Sequence, residues 1–335
     1  MERMGNKHEI PILTLKGEFY MIIPLREGYS KDRSLVGGKA RNLSKLMEAG
    51  IKVPNGFIIS SKSFWEFIEI NNLANQINHY LKTMENPSHS IKELFHVNKI
   101  PSDLEMQVKN AYDNLLSSTE VAKVSVRSSA AAEDLHDSSF AGQYETFLNV
   151  GSFEGLVKSI KECWASVWSN QALQYLHNVN IDIKQVKIGV LVQSMVQADT
   201  SGVVFSVNPV TSLYDEIIIN ASYGLGEAIV SGLITPDMFI VSKQDNTILY
   251  KELGLKEFKV VGTVDGTKEI PTTEQEKALF SLHDNQVEQI TEVTKKIENY
   301  YQYPVDVEFA INENEMYVLQ VRPITTVKER VNFEK

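Results

Sequence analysis

The chain has 335 residues, 43% of them apolar and 23% charged, the balance of a folded globular protein with more than one ordinary core, so two domains are expected. Its formal charge of −10 argues against nucleic acid or an anionic membrane as a partner, because both are bound through a basic face. A single cysteine, Cys163, allows no internal disulfide, no apolar run approaches about 18 residues, and the first residues lack a signal-peptide core, so a cytoplasmic protein is expected.

Phe19 to Leu25 reads as a short strand. Gly37-Gly38 opens a helix with Leu43, Leu46 and Met47 on one side, and Gly50 suits its left-handed cap. Pro54 and Gly56 lead into a strand at Phe57–Ile59. Helical patterns follow over Ser63–Lys82 and Leu104–Leu116, with polar Glu85–Ser90 as a loop between them. Val124 and Val126 form a strand that runs into a small-residue loop, Arg127 to Asp134. Leu156, Ile160, Cys163, Trp164, Val167 and Trp168 mark one face of a long helix, and the β-branched stretch Val186–Val196 suits a buried strand. The rest is mostly strands, at Gly202–Val207, Glu216–Asn220 and Met238–Ser242, with one helix that a Ser-x-x-Asp pattern starting at Ser281 would cap. A hairpin of Val305–Ile311 and Tyr317–Thr325 follows it. The change of texture sets a boundary near residue 190, giving an N-terminal domain of residues 1–190, a C-terminal domain of 191–328 and a tail of 329–335.

Several familiar devices are absent. The chain has no Gly-x-x-x-x-Gly-Lys-Ser/Thr phosphate loop, no His-Glu-x-x-His and no Cys-x-x-Cys, and Gly224-Leu225-Gly226 finds its third glycine only at Gly232. What remains is compatible with phosphate. Gly37-Gly38-Lys39 sets a cation in the first turn of a helix, where free N–H groups and the helix dipole also favour an anion. A solvated lysine after a tight turn would read the same way. In Arg127-Ser128-Ser129 the planar guanidinium fork and two hydroxyls suit phosphate oxygens, as they would also suit an ordinary surface loop.

The last hairpin allows a register to be derived. Val307, Phe309 and Ile311 alternate with Asp306, Glu308 and Ala310, and Tyr317, Leu319 and Val321 alternate with Gln320 and Arg322. The apolar faces coincide when Val307 opposes Val321, which sets Glu308 against Gln320 and Ile311 against Tyr317. Glu313-Asn314-Glu315 is then the turn, with Asn314 left-handed. Two hard oxygen donors lie side by side with Arg322 beyond them, an arrangement for magnesium and phosphate that a plain solvated face would share.

Six segments in order resemble the N-terminal nucleotide-binding domain of the phosphoenolpyruvate synthase and pyruvate phosphate dikinase family, which the rifampin phosphotransferases share. They are Val36-Gly37-Gly38-Lys39, Val126-Arg127-Ser128-Ser129 through Glu133-Asp134, Phe140-Ala141-Gly142-Gln143, Ser201-Gly202 through Asn208-Pro209, Gly224-Leu225-Gly226-Glu227 and Gln320-Val321-Arg322-Pro323. The resemblance implies an α/β (α+β) fold of the two-lobed ATP-grasp type, with ATP held in a cleft between the lobes. It implies that Lys39 and Arg127 hold phosphates, that Gly142 and Thr146 line the nucleotide loop, and that Gln193 lies near the adenine. It further implies that Glu308 and Gln320 ligate Mg2+ and that Arg322 contacts the transferring phosphates, which makes Arg127 and Arg322 the expected catalytic pair. Ala131, His136 and Ala40-Arg41 depart from the family's usual residues, at positions that touch loop flexibility more than ligand chemistry.

Family members pass phosphate to a histidine in a Gly-rich Thr/Cys-Ser-His-Ala setting, and none of the seven histidines here has one. The expected activity is therefore the ATP half of a dikinase-type phosphotransferase, with its acceptor histidine on a separate domain or partner chain and pyruvate as the final acceptor. The other readings are a domain of the rifampin-phosphotransferase type with a small-molecule acceptor and a regulatory nucleotide-binding subunit without turnover. A carboxylate–amine ligase fits the Gln-x-Arg-Pro ending less well.

Overall fold

A computed structural model describes residues 21–118, 122–130, 145–178, 186–264 and 266–325. The chain divides into two units, one of residues 1–44 and 55–195, the other of residues 45–54 and 196–335. The boundary expected at residue 190 falls inside a strand of the first unit, and the tail 329–335 lies outside the described residues.

The first unit is built on five strands, β1 (Ile22–Pro24), β2 (Gly56–Ile59), β3 (Val124–Ala130), β4 (Thr146–Val150) and β5 (Ile188–Ser194). They form one antiparallel sheet in the order β1-β2-β5-β3-β4. Its helices are α1 (Arg33–Val36), α2 (Gly38–Glu48), α3 (Ser61–Ile70), α4 (Leu73–Thr83), α5 (Ser88–Val97), α6 (Ser102–Ser117), α7 (Phe153–Ser166) and α8 (Asn170–Asn178), with the last turn of α2 grouped in the second unit. One face of the sheet, through Val124, Val126, Val190 and Val192, joins a core with Phe64, Phe67, Phe95, Leu104, Trp164 and Trp168. The helix expected over Ser63–Lys82 is broken at Asn71-Asn72, where Asn72 takes φ 54°, a conformation asparagine tolerates better than most residues. The loop expected at Glu85–Ser90 is shorter than that, because Ser88 already begins α5 and its apolar Ile91, Leu94 and Phe95 are buried.

The second unit carries a six-stranded antiparallel sheet of β6 (Thr200–Phe205), β7 (Glu216–Tyr223), β8 (Asp237–Ser242), β9 (Ile248–Glu252), β12 (Val305–Asn312) and β13 (Glu315–Pro323), in the order β13-β12-β6-β7-β8-β9. A separate hairpin joins β10 (Phe258–Gly262) to β11 (Thr267–Pro271), and Leu225 N–H donates to Val260 O across 2.9 Å. Helices α9 (Glu227–Val230), α10 (Glu274–Ala278) and α11 (Asp284–Tyr301) complete the unit. Helix α11 packs against β12 and β6, and its Val287, Ile290 and Ile297 are buried, as are Val305, Val307 and Phe309 of β12. The expected cap at Ser281 is displaced by two residues: α11 starts after His283, whose N–H donates to Gln286 Oε1 at 2.9 Å, while Ser281 is engaged elsewhere. No described helix is long and apolar enough to cross a membrane.

Candidate functional site

In the first unit the start of α2 is fixed to β3 by two features of the Gly37–Ala40 segment. Gly37 has φ 80°, and a Cβ there would stand 1.9 Å from Ser129 O, so only glycine lets the chain pass this close. Ala40 N–H, one of the donors that a helix start leaves without an internal acceptor, donates to Ser129 Oγ at 3.1 Å. Lys39 is thereby held beside the strand two residues from Arg127. Pairing of Ser125 with Gln193 and of Arg127 with Leu191 and Thr146 puts Arg127, Gln193 and Thr146 on one sheet face. It is the face away from the aromatic core and toward α1, since a Cβ on Gly189, which opposes Ser129, would meet Val36 O at 3.0 Å. Lys39, Arg127 and Gln193 are 6%, 8% and 3% exposed, against the open surface that a solvated lysine or an ordinary loop would show. Thr146 is exposed at the edge, and Gly142 lies outside the described residues.

In the second unit the derived register holds where it carries the site. Val307 opposes Val321, Glu308 opposes Gln320 and Asp306 opposes Arg322. Beyond Glu308 it shifts by one residue, so that Phe309 opposes Val318 and Ile311 opposes Met316 instead of Tyr317. The extra residue changes the phase of β13: Met316, Val318 and Val321 are buried, and Tyr317 and Leu319 are not. The turn accordingly tightens to Glu313-Asn314, and Glu313, at φ 55°, is its left-handed residue in place of Asn314.

Arg322 links the polar face. Its Nη2 lies 3.8 Å from Glu308 Oε1, and Gln320, with its amide oxygen turned toward the guanidinium, accepts from Nε and Nη2. Both lone pairs of that amide oxygen thus face Arg322, so a cation beside Glu308 would take the oxygen in place of one of these two donors. Across β6 and β7 the same row continues as Val203 and Asn220. Asp306, two residues before Glu308 and so on the same face, is the carboxylate that sequence reasoning left outside the site, although alternation alone places it there. Its Oδ1 is buried without a hydrogen-bond partner among the described residues. Burial pushes its carboxyl up to about 6, with Glu308 adding to the rise and Arg322 opposing it. An orphaned buried oxygen beside Glu308 and Gln320 makes a hard-donor set that fits a small divalent cation sharing phosphate oxygens. No group of three or more His, Cys, Asp or Glu side chains able to hold a metal occurs among the described residues. Mg2+ typically needs only one or two carboxylates, with substrate phosphates and water filling its remaining positions.

Asp306 also gives a sign to the pH dependence of the metal-free protein. The folded chain holds this proton up to about pH 6 and the unfolded chain loses it near its ordinary value of 3.8, so the group lowers stability progressively as pH rises between the two. Asp306→Asn is expected to raise stability at pH 8 by up to about 3 kcal/mol and to leave it nearly unchanged at about pH 4. Urea unfolding in EDTA at the two pH values measures this, and an equal effect at both would contradict it.

The pyruvate phosphate dikinase AMP/ATP-binding domain family matches residues 33–335. A Bacillus subtilis (strain 168) protein described as an uncharacterized phosphotransferase, YvkC, is 42% identical over 295 residues, covering 88% of this chain and 34% of that one. A probable phosphoenolpyruvate synthase of Methanocaldococcus jannaschii is 35% identical over 332 residues, covering 95% of this chain and 28% of that one. A phosphoenolpyruvate synthase of Pyrococcus furiosus is 34% identical over 370 residues, covering 94% of this chain and 45% of that one. The chain thus spans less than half the length of these relatives.

Proposed function

The chain belongs to the pyruvate phosphate dikinase AMP/ATP-binding domain family, and from that premise we propose that it is the ATP-binding, Mg2+-dependent part of a phosphoenolpyruvate synthase-type phosphotransferase. In this reading it passes a phosphoryl group from ATP to a histidine on a separate domain or partner chain, and from there to pyruvate or a similar acceptor. The observation that carries it is the co-facial set of Glu308, Gln320 and Arg322, with Asp306 buried beside it, in the last hairpin of a member of this family. The two antiparallel sheets are what an ATP-grasp fold requires.

Phosphoryl transfer asks little covalent chemistry of the protein and much positioning and charge neutralisation. Lys39 and Arg127 would bind phosphate oxygens from the first unit, the one as a point charge and the other as a planar fork. Gly142 and Thr146 would line the nucleotide loop, and Gln193 would take the adenine. In the second unit Arg322 would stabilise charge developing on the transferred group, while Glu308 and Gln320 would hold Mg2+. The metal would supply neutralisation of adjacent phosphate oxygens. Asp306 would hold its proton only up to about pH 6 in the metal-free chain, and above that its carboxylate would be available to a cation beside Glu308.

The decisive experiment mixes the chain with ATP, Mg2+ and a phosphohistidine-domain protein. The expected products are AMP, inorganic phosphate and one acid-labile phosphate on that protein, the second phosphate of ATP leaving to water. ADP formed together with an acid–amine product would replace this reading with a ligase, and transfer to a rifamycin would redirect the final acceptor. Tight ATP binding with no turnover by any such partner would leave a regulatory subunit and overturn the proposal.

A further inference from the structure

We infer that Ser206, Glu298 and Lys243 form a partly buried relay that fixes the start of β12 and thereby holds Asp306 and Glu308 in place for the metal-bound triphosphate. The inference rests on the function proposed above and makes these three positioning residues, which touch no reacting atom.

The β6–β12 ladder ends with Phe205 opposite Asp306, and the chain turns away at Ser206. Ser206 N–H donates to Val305 O at 2.8 Å, but Val305 N–H donates at 2.8 Å to the Ser206 hydroxyl, a side chain standing where a strand would offer its carbonyl. That hydroxyl donates its own hydrogen to Glu298 Oε1 at 2.9 Å. Glu298 in turn accepts Lys243 Nζ on both oxygens, at 2.8 and 2.7 Å. The direction of every bond is forced, since a carboxylate only accepts and an ammonium only donates. Ser206 is fully buried, so losing either neighbour would strand a polar group away from water.

Glu298 sits in the last turn of α11, where negative charge opposes the helix dipole, so helix stability gives no reason for a carboxylate there. Its service to Ser206 and Lys243 does. The relay gathers the ends of β6 and β8 and the end of α11 at Val305, one residue before Asp306 and three before Glu308. Loosening it should shift the two carboxylates without removing them.

The test is ATP affinity by calorimetry at saturating Mg2+ and in EDTA, for wild type, Ser206→Ala, Glu298→Ala and Glu298→Gln, with far-UV circular dichroism as the check on fold. Ser206→Ala and Glu298→Ala should lose about tenfold or more in Mg2+-ATP affinity, corresponding to about 1.4 kcal/mol, and little in EDTA. Glu298→Gln, which keeps an oxygen for the serine, should lose less than Glu298→Ala. Equal losses with and without metal, or no loss at all, would overturn the relay. Should Ser206→Ala fail to fold, the two Glu298 variants decide alone. Glu308→Gln in parallel separates the two levels of argument: if it leaves Mg2+-ATP affinity intact, the proposed metal role of the hairpin fails and the relay with it. If Glu308→Gln loses affinity and the relay variants do not, only the relay fails.

Discussion

Asp237→Ala is expected to destabilise the second unit by about 3–5 kcal/mol, the cost of leaving a buried charge uncompensated. Asp237 and Lys256 are paired with no side-chain exposure at either end. Asp237 Oδ1 also accepts Gly254 N–H at 2.8 Å, and Oδ2 accepts the N–H and hydroxyl of Ser281 at 2.7 and 2.8 Å. One carboxylate at the start of β8 thus holds two other segments, 253–256 and the approach to α11. Lys256 is itself in the left-handed region at φ 43°, a conformation that persists only where the surroundings over-determine it. Truncating Asp237 strands the ammonium and three donors together. Lys256→Met strands a carboxylate that still accepts three hydrogen bonds, and should cost clearly less. The three tryptophans, Trp65, Trp164 and Trp168, all belong to the first unit. Asp237→Ala should therefore lower the urea midpoint read from hydrogen exchange of second-unit amides much more than the midpoint seen by tryptophan fluorescence. A costlier Lys256→Met, or equal shifts of the two signals, would contradict this account.

That network was invisible in the sequence, and the reason separates what could be read there from what could not. Asp237, Gly254, Lys256 and Ser281 are joined only after β8 and the approach to α11 are brought together, and no local pattern announces the meeting. The Gly37–Ser129 contact is similar. Gly37-Gly38-Lys39 and Arg127-Ser128-Ser129 each had a chemical reading of their own, but the bond from Ala40 to Ser129 spans 89 positions. Only the fold shows that Lys39 and Arg127 are buried side chains of one sheet face and its covering helix. By contrast the pairing of Glu308 with Gln320 was legible, because one buried face and a two-residue period leave a single phase around Val307 and Val321.

The legibility stopped at the bulge. Leu319 is an ordinary strand residue with no glycine beside it, so nothing marks the extra position that moves Met316 and Val318 into the core in place of Tyr317 and Leu319. The bulge lies immediately before Gln320, where added twist re-aims the side chain toward Arg322. Strands β9, β10 and β11 escaped for a different reason. Their exposed, charge-bearing sequences, such as ILYKE and TKEIP, show little of the apolar alternation that betrays a half-buried strand.

Arg322→Met is expected to slow phosphoryl transfer by roughly 10³-fold or more, the scale of losing an arginine that stabilises a phosphoryl transition state, while the fold persists. The guanidinium is about one-third exposed, held on one edge by Gln320 and flanked by Glu308 at 3.8 Å, so its removal opens no cavity in the core. Arg322→Lys distinguishes charge from shape. A lysine keeps the positive charge, but its ammonium cannot give Gln320 the paired Nε and Nη2 donors or present a planar fork to phosphate. If positioning dominates, Arg322→Lys should fall close to Arg322→Met in single-turnover transfer from labelled ATP to a phosphohistidine-domain protein. If neutralisation dominates, it should recover most of the rate. The geometry favours the first outcome, because the paired donors of Arg322 hold the Gln320 amide in place, and losing the fork would leave that amide free to turn away from the position proposed for the metal. A transfer rate unchanged in Arg322→Met would remove Arg322 from the chemistry altogether and leave the hairpin as a metal-binding face alone.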